Sequence, residues 1–355
     1  MRAIGRKKYV VFALLTMVLV SAVGVVTLLV ADLVLHARAE RSAGTNRWGY
    51  RGPVVGAKQR NEVRIAMLGG STVFGYGVMW HESIPALLEQ ALNRRAPERK
   101  WTVINLGYNT EGAYSFLQNL QDFSYLDYDL VVLYEGYNDL LGDLSPNHVT
   151  PRQQSPVFRA TGYFPILPLW LEERALMLRS GGLADGYESR IGQGERAVFR
   201  PSLAARASAS ALEAAATITA TLERQFDGAA ARDSHRGRES AADASCPPPW
   251  SDYCESQRRA IQYALDHGDK VLVVSQPDLV GEIPRARHQQ QQQALAAMID
   301  SQFGNTTRVA RFALGNRVDL ASGEVTFDQM HLNVDGNRIV ADALAEPVRR
   351  LWSTP

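Results

Sequence analysis

"IAMLGGSTVFGYG", residues 65–77, passes from an apolar run into two glycines, a serine and further small residues. It reads as a buried strand that stops at a tight turn carrying Ser71. By itself the stretch fits a presented nucleophile, a phosphate cradle or a plain loop. Outward from it the same pattern returns. "VRIAML" (63–68), "WTVINLG" (101–107), "YDLVVLYEG" (128–136), "KVLVVSQP" (270–277) and "RVARFAL" (308–314) are short apolar runs. Helical patterns separate them: "SIPALLEQALNRR" (83–95), "AYSFLQNLQDF" (113–123), "SQRRAIQYALDHG" (256–268) and "VDGNRIVADALAEPVRRLW" (334–352). The last is expected to bury Ile339, Val340, Ala343, Leu344 and Val348. Strands alternating with helices call for an α/β fold, a parallel sheet with helices on both faces. Ligands then bind at the carboxyl ends of the strands, where the stretches at 69–71, 107–112 and 136–138 converge.

Composition is that of a chain with a packed core: 46% apolar and 21% charged among 355 residues. Lys and Arg (38) balance Asp and Glu (37) to a formal net charge of +1. No basic stripe with interleaved aromatics marks a nucleic-acid partner. Tyr9 to Ala31 is 23 residues without a formal charge. As a helix it is about 34 Å long, enough for a hydrocarbon core of about 30 Å. Arg2, Arg6, Lys7 and Lys8 precede it, which favours an inside N-terminus. Its length exceeds that of a cleaved signal's apolar region, even though Ala37-Arg38-Ala39 has the small-x-small form of a cleavage site. The expectation is therefore a cytoplasmic tail (1–8), a signal anchor (9–31) in the cytoplasmic membrane, a linker (32–60), and an extracytoplasmic domain (61–355). Cys246 and Cys254 bracket "PPPWSDY" and are expected to pair in that oxidising compartment. Residues 145–250 break the alternation and read as an insertion, a lid or a partner surface. It holds "GYFPILPLW" (162–170), an Ala-rich helix (about 202–226) and a polar tract (228–245) that does not order by itself. "HQQQQQ" (288–293) reads as the solvated face of a helix, and His36, His81, His148, His235, His267 and His288 as structural or solvent-facing.

Acyl transfer to a serine needs a base, an acid to orient that base, and donors for the oxyanion. Four stretches together offer these groups. They are "GGST" with Ser71, "LGYNTEGAYS" with Gly107 and Gly112, "EGYNDL" with Gly136 and Asn138, and "DQMHL" with Asp328 and His331 three apart. In order and character the four blocks resemble the SGNH hydrolases, the GDSL-type esterases and lipases. The resemblance covers roughly residues 61–145 and 270–352.

The resemblance implies a three-layer α/β/α, flavodoxin-like sheet and ester hydrolysis without cofactor or metal. It implies Ser71 as nucleophile, His331 as general base, and Asp328 as the residue that holds the imidazole tautomer. Asn138 and the backbone N–H groups of Ser71 and Gly112 then form the oxyanion hole, with Gly107 the rival for the glycine. One departure is Gly70, which stands where the family's namesake motif has Asp. The G-x-S-x-G elbow is absent because Val73 takes its last position, and no lysine beside the Ser/Thr makes a phosphate loop. No HExxH motif or carboxylate cluster points to a metal. The expected substrate is an ester-bearing small molecule, glycan or lipid. The alternatives are an O-acyltransferase acting on envelope glycans or lipids, and a non-catalytic accessory protein that meets an envelope protein partner through the 145–250 insertion.

Overall fold

The structure, a computed structural model, describes residues 6–39, 45–109, 111–134, 136–140, 155–181, 207–212, 214–215 and 246–354. The chain divides into two units, residues 1–39 with 155–232 and residues 40–154 with 233–355.

The larger unit is built on five parallel strands in the order β2-β1-β3-β4-β5. These are β1 (Glu62–Gly69), β2 (Lys100–Asn105), β3 (Leu130–Tyr134), β4 (Lys270–Pro277) and β5 (Val309–Gly315). Parallel neighbours need crossovers, and strands buried on both faces need apolar residues on both, which is why β1, β3 and β4 each carry an unbroken apolar stretch. The order reverses at β1, between β2 and β3, so the crevice lies beyond the carboxyl ends of those strands. In the register, Met67 stands opposite Asn105 and Gly69 opposite Tyr134. The turn after β1 is therefore flanked by the segments that follow β2 and β3.

On one face, Ile65, Met67, Val132 and Leu272 pack with Leu88 and Leu92 of the helix Ile84–Arg95 and with Val340 and Leu344 of Val334–Ser353. The intervening strand residues, Ala66, Leu68, Val131 and Leu133, are equally buried and face the opposite layer. Helices Phe116–Asp122, Ser251–Asp266 and Glu282–Phe303 supply that layer. In chain order within this unit, α1 is the turn helix Ser71–Phe74, α2 Ile84–Arg95, α3 Phe116–Asp122, α4 Ser251–Asp266, α5 Glu282–Phe303 and α6 Val334–Ser353. Cys246 and Cys254 are disulfide-bonded at the start of α4.

Three expectations change. Ile339 is 41% exposed, because α6 turns Val340, Leu344 and Val348 to the sheet and leaves Ile339 on the flank. Residues 45–52, placed in the linker by sequence, belong to the fold: Asn46, Tyr50 and Arg51 are buried, and the Arg51 N–H donates to Asn105 O at 3.0 Å. The run at 288–293 is a solvated face only in part: Gln289, Gln290 and Gln293 are exposed, whereas His288 and Gln291 are buried against the sheet layer.

In the smaller unit a helix spans Arg6–Ala39, and Lys8–Arg38 is long and apolar enough to cross a membrane or to serve as a signal anchor. Near its end, Asp32 Oδ1 accepts the N–H groups of Ile166 (2.9 Å) and Leu167 (2.6 Å), while Oδ2 accepts the Tyr163 hydroxyl. His36 Nε2 bonds Phe164 O at 2.7 Å. The aromatic run of the insertion is thus tied to this helix, and Asp32 caps the helix Leu167–Ser180, satisfying N–H groups that a helix start leaves open. Residues 145–154 and 228–245, and most of the Ala-rich stretch, lie outside the described residues.

The central strands carry the load of the core. Leu133→Ala, at a position with no exposure, should lower stability by about 2–5 kcal/mol, read as a shifted urea midpoint with an unchanged m-value.

Candidate active site

Ser71 is the first residue of α1, directly after β1 and Gly69-Gly70. The helix is one turn long, so its position depends on what grips it. Phe74 N donates to Gly70 O at 3.0 Å, and Gly75 N and Tyr76 N both donate to Ser71 O at 2.9 Å. Asn105 Nδ2, at the end of β2, donates to Val73 O at 2.9 Å. Arg51 Nη1 donates to Phe74 O and to Gly75 O (2.6 Å), Nη2 to Val78 O (2.6 Å), and its guanidinium lies over the Phe74 ring at 4.3 Å. Of these carbonyls, those of Val73 and Phe74 are ones that the end of α1 leaves unpaired. Burial lowers the Arg51 pKa to about 10, against the raising effect of Glu82. The sequence reading missed Arg51 because its partners are backbone carbonyls, which leave no residue pattern. Gly107 closes the other side: a Cβ there would lie 2.7 Å from Phe74 N, so only glycine lets the two backbones approach.

His331 and Asp328 come from the loop before α6. Phe327 N donates to His331 O (2.9 Å) and Asn333 N to Val325 O (3.0 Å), which pins the loop as a narrow hairpin. Gln329 turns it sharply in the left-handed region, φ 65°. Asp328 Oδ1 can then accept the N–H groups of Met330 (3.1 Å) and His331 (2.7 Å). Asp328 Oδ2 lies 2.6 Å from His331 Nδ1, and His331 Nε2 lies 2.8 Å from Ser71 Oγ. Burial raises the Asp328 pKa, but the hydrogen bonds from the His331 side chain and backbone, its charge and the Met330 N–H outweigh this and hold it below its usual 3.8. A carboxylate at Nδ1 fixes the proton on that nitrogen, so Nε2 accepts the serine hydroxyl. The Tyr76 ring lies 4.7 Å from the imidazole and covers one side of it. The structure therefore brings Ser71, His331 and Asp328 into one hydrogen-bonded line.

Gly112 and Asn138 lie on the two neighbouring segments. Asn138 Nδ2 donates to Glu111 O at 2.7 Å, which fixes the plane of an amide that carries two hydrogens. The next residue, Asp139, accepts the Ala113 N–H at 2.9 Å, and a Cβ on Gly112 would lie 2.5 Å from Asp139 Oδ1. The Gly107 N–H is held by Asn105 Oδ1 at 3.0 Å, whereas the Gly112 N–H meets no acceptor among the described residues. Tyr137 ties the same segment to β4: its N–H donates to Gln276 Oε1 at 2.8 Å and its hydroxyl to Pro277 O. No cluster of three or more His, Cys, Asp or Glu suited to a metal occurs among the described residues.

No family model matches the chain, and no curated protein matches it. Solved structures do. An alpha/beta hydrolase enzyme, LAE5, from the metagenome of Lake Arreo is 13% identical, covering 81% of this chain and 96% of its own, with a TM-score of 0.44. TesA is 12% identical over 81% of this chain and 99% of its own, with a TM-score of 0.44. The acetylxylan esterase Axe2 from Geobacillus stearothermophilus is 10% identical over 81% and 94%, with a TM-score of 0.41. Likenesses this distant leave the activity of the chain to its own residues.

Burial raises the Asp139 pKa from 3.8 to about 7, against the lowering effect of the Ala113 N–H. A carboxyl raised by folding contributes most below its unfolded value, and that contribution is lost as the pH climbs to the folded one. The stability of the wild type relative to Asp139→Asn should therefore fall from about pH 4 to about pH 7 and level off above. Urea unfolding of both proteins across that range measures it.

Proposed function

We propose that the chain is a serine esterase of SGNH type, cleaving carboxylic esters through an acyl-Ser71 intermediate. The observation that carries this reading is the line Ser71 Oγ to His331 Nε2 (2.8 Å) and His331 Nδ1 to Asp328 Oδ2 (2.6 Å). Ser71 Oγ attacks the ester carbonyl while its proton passes to Nε2. Asp328, kept ionised, stabilises the imidazolium and holds its tautomer. The carbonyl oxygen becomes an oxyanion, which the Ser71 and Gly112 N–H groups and the Asn138 amide receive. The alcohol leaves with the proton from Nε2, and water reverses the sequence to release the acid and restore Ser71.

The same reading places the catalytic unit outside the cytoplasmic membrane, with residues 9–31 as anchor. The basic residues before the uncharged run 9–31 and the disulfide between Cys246 and Cys254 support this orientation. Esters carried by envelope glycans or lipids are the substrates such tethering suits. Ser71, His331 and Asp328 held in register favour catalysis over an accessory role.

A fluorophosphonate probe should label the detergent-solubilised wild type and not Ser71→Ala, and p-nitrophenyl acetate turnover should fall by up to about 10⁶-fold in that variant. Asn138→Ala should keep the labelling site and lose roughly 10²–10³-fold in kcat. Absence of labelling in the wild type would sink the assignment. Arg51→Met, which frees the end of the serine turn, should lower kcat roughly 10- to 100-fold with a smaller change in KM, because it disturbs orientation more than binding.

A further inference from the structure

Asn138 sits in a single 3₁₀ turn, Tyr137–Asp139, that is closed by few bonds of its own. Asp139 N donates to Gly136 O and Leu140 N to Tyr137 O, both at 3.2 Å. One turn has no stability by itself, and the carbonyls at its end have no donor within it. Helix α5 supplies what is missing. Arg287, His288, Gln291 and Gln292 are spaced so that they share one face of it. A Cβ on Gly136 would lie 2.8 Å from Gln292, 3.0 Å from Gln291 and 3.2 Å from His288, so this face meets the backbone before Asn138. Arg287 makes the directed bond on the other side, its Nε donating to Leu140 O. It does for the Asn138 turn what Arg51 does for the serine turn.

Arg287 is itself held in place. Among the described residues no carboxylate pairs with it. Its guanidinium lies over the Trp250 ring at 4.9 Å, a cation–π contact that sets where the group sits. Trp250 is 4% exposed and falls inside the loop that Cys246 and Cys254 close. Its N–H donates to Pro247 O at 3.1 Å and its carbonyl accepts the Cys254 N–H at 2.9 Å. Next to Cys254, the Tyr253 hydroxyl accepts Gln292 Nε2 at 3.3 Å, so the start of α4 grips the same face of α5 twice. A continuous line of contacts thus runs from the disulfide loop through Trp250 and Arg287 to Leu140, two residues after Asn138.

We propose that Arg287 is a positioning residue for the oxyanion hole, and that the disulfide loop sets it through Trp250. Its effect on turnover rests on the esterase reading; its hold on residues 136–140 does not.

The test uses the full-length chain in detergent. Arg287→Met keeps the length of the side chain and removes the donor. It should lower kcat for p-nitrophenyl acetate roughly 10-fold with KM within about twofold, because orientation suffers more than binding. Arg287→Lys, which keeps a donor over the ring, should recover part of that loss. In an Asn138→Ala background Arg287→Met should cost less than about twofold, since the group it positions is already gone. Trp250→Leu should lower kcat in the same way and add little to Arg287→Met; if it does not fold, Cys246→Ser with Cys254→Ser takes its place. Hydrogen exchange read by mass spectrometry gives the hold directly: amides 136–140 should exchange roughly 3- to 10-fold faster in Arg287→Met than in the parent. Unchanged exchange and kcat in Arg287→Met, Lys no better than Met, or an equal loss with and without Asn138 would each overturn the proposal. Absence of fluorophosphonate labelling in the parent would instead sink the esterase reading, and the exchange rates would then decide the hold alone.

Discussion

The rest of the site depends on the close contact between the one-turn helix carrying Ser71 and the backbone that follows β2. Gly107 lies so near Phe74 N that a single added carbon would meet it at 2.7 Å, and Asn105 bonds the helix from the same strand end. A four-residue helix has no stability of its own, since nucleation fixes several dihedrals for one hydrogen bond. Tertiary contacts must hold it, and Arg51 completes them by bonding three carbonyls at its far end. With Ser71 fixed in this way, a loop 260 residues later in the sequence can meet its hydroxyl at hydrogen-bond distance.

The neighbouring segments are laced by equally specific contacts. Asn138 and Asp139, after β3, bond Glu111 O and Ala113 N, after β2, and Tyr137 bonds the end of β4 twice. Three strand ends are thereby locked in one relative position, which is what a preorganised set of oxyanion donors requires. The arrangement has a cost: Asp139 is buried with its carboxyl pushed toward neutral pH. Gln276 extends the lacing from β4 to the serine turn, bonding Tyr137 N and Thr72 Oγ1.

Much of this was legible beforehand because it rests on local chemistry. Apolar runs ending at glycine located β1, β2 and β3, and the spacing of Asp328 and His331 before a helix located the loop that bears them. Three places in the fold depart from what local pattern implies, each for its own reason. Arg51 reads as linker in sequence because its partners are carbonyl oxygens of residues 74, 75 and 78, which have no signature there. The run "HQQQQQ" reads as solvated because glutamine is usually exposed, and Gln289, Gln290 and Gln293 are, yet His288 and Gln291 fall on the inward face of α5, where Gly136 leaves room for them. Ile339 reads as core because it is apolar, although α6 has enough apolar positions to bury without it.

By itself, the sequence determined the alternation of strands and helices, the turn residues at the strand ends and the types of chemical group available. Hydrophobic periodicity and glycine placement act over a few residues, so they are written locally. Only the tertiary structure decided which groups meet: the strand order that sets β1 between β2 and β3, the line from Ser71 through His331 to Asp328, the hold of Asn105 on the Gly107 N–H, and the burial of His288 on α5. Those outcomes depend on contacts between residues distant in the chain and on which side of a helix faces the sheet. Both are fixed by packing, where a shift of one carbon atom decides whether two backbones can touch.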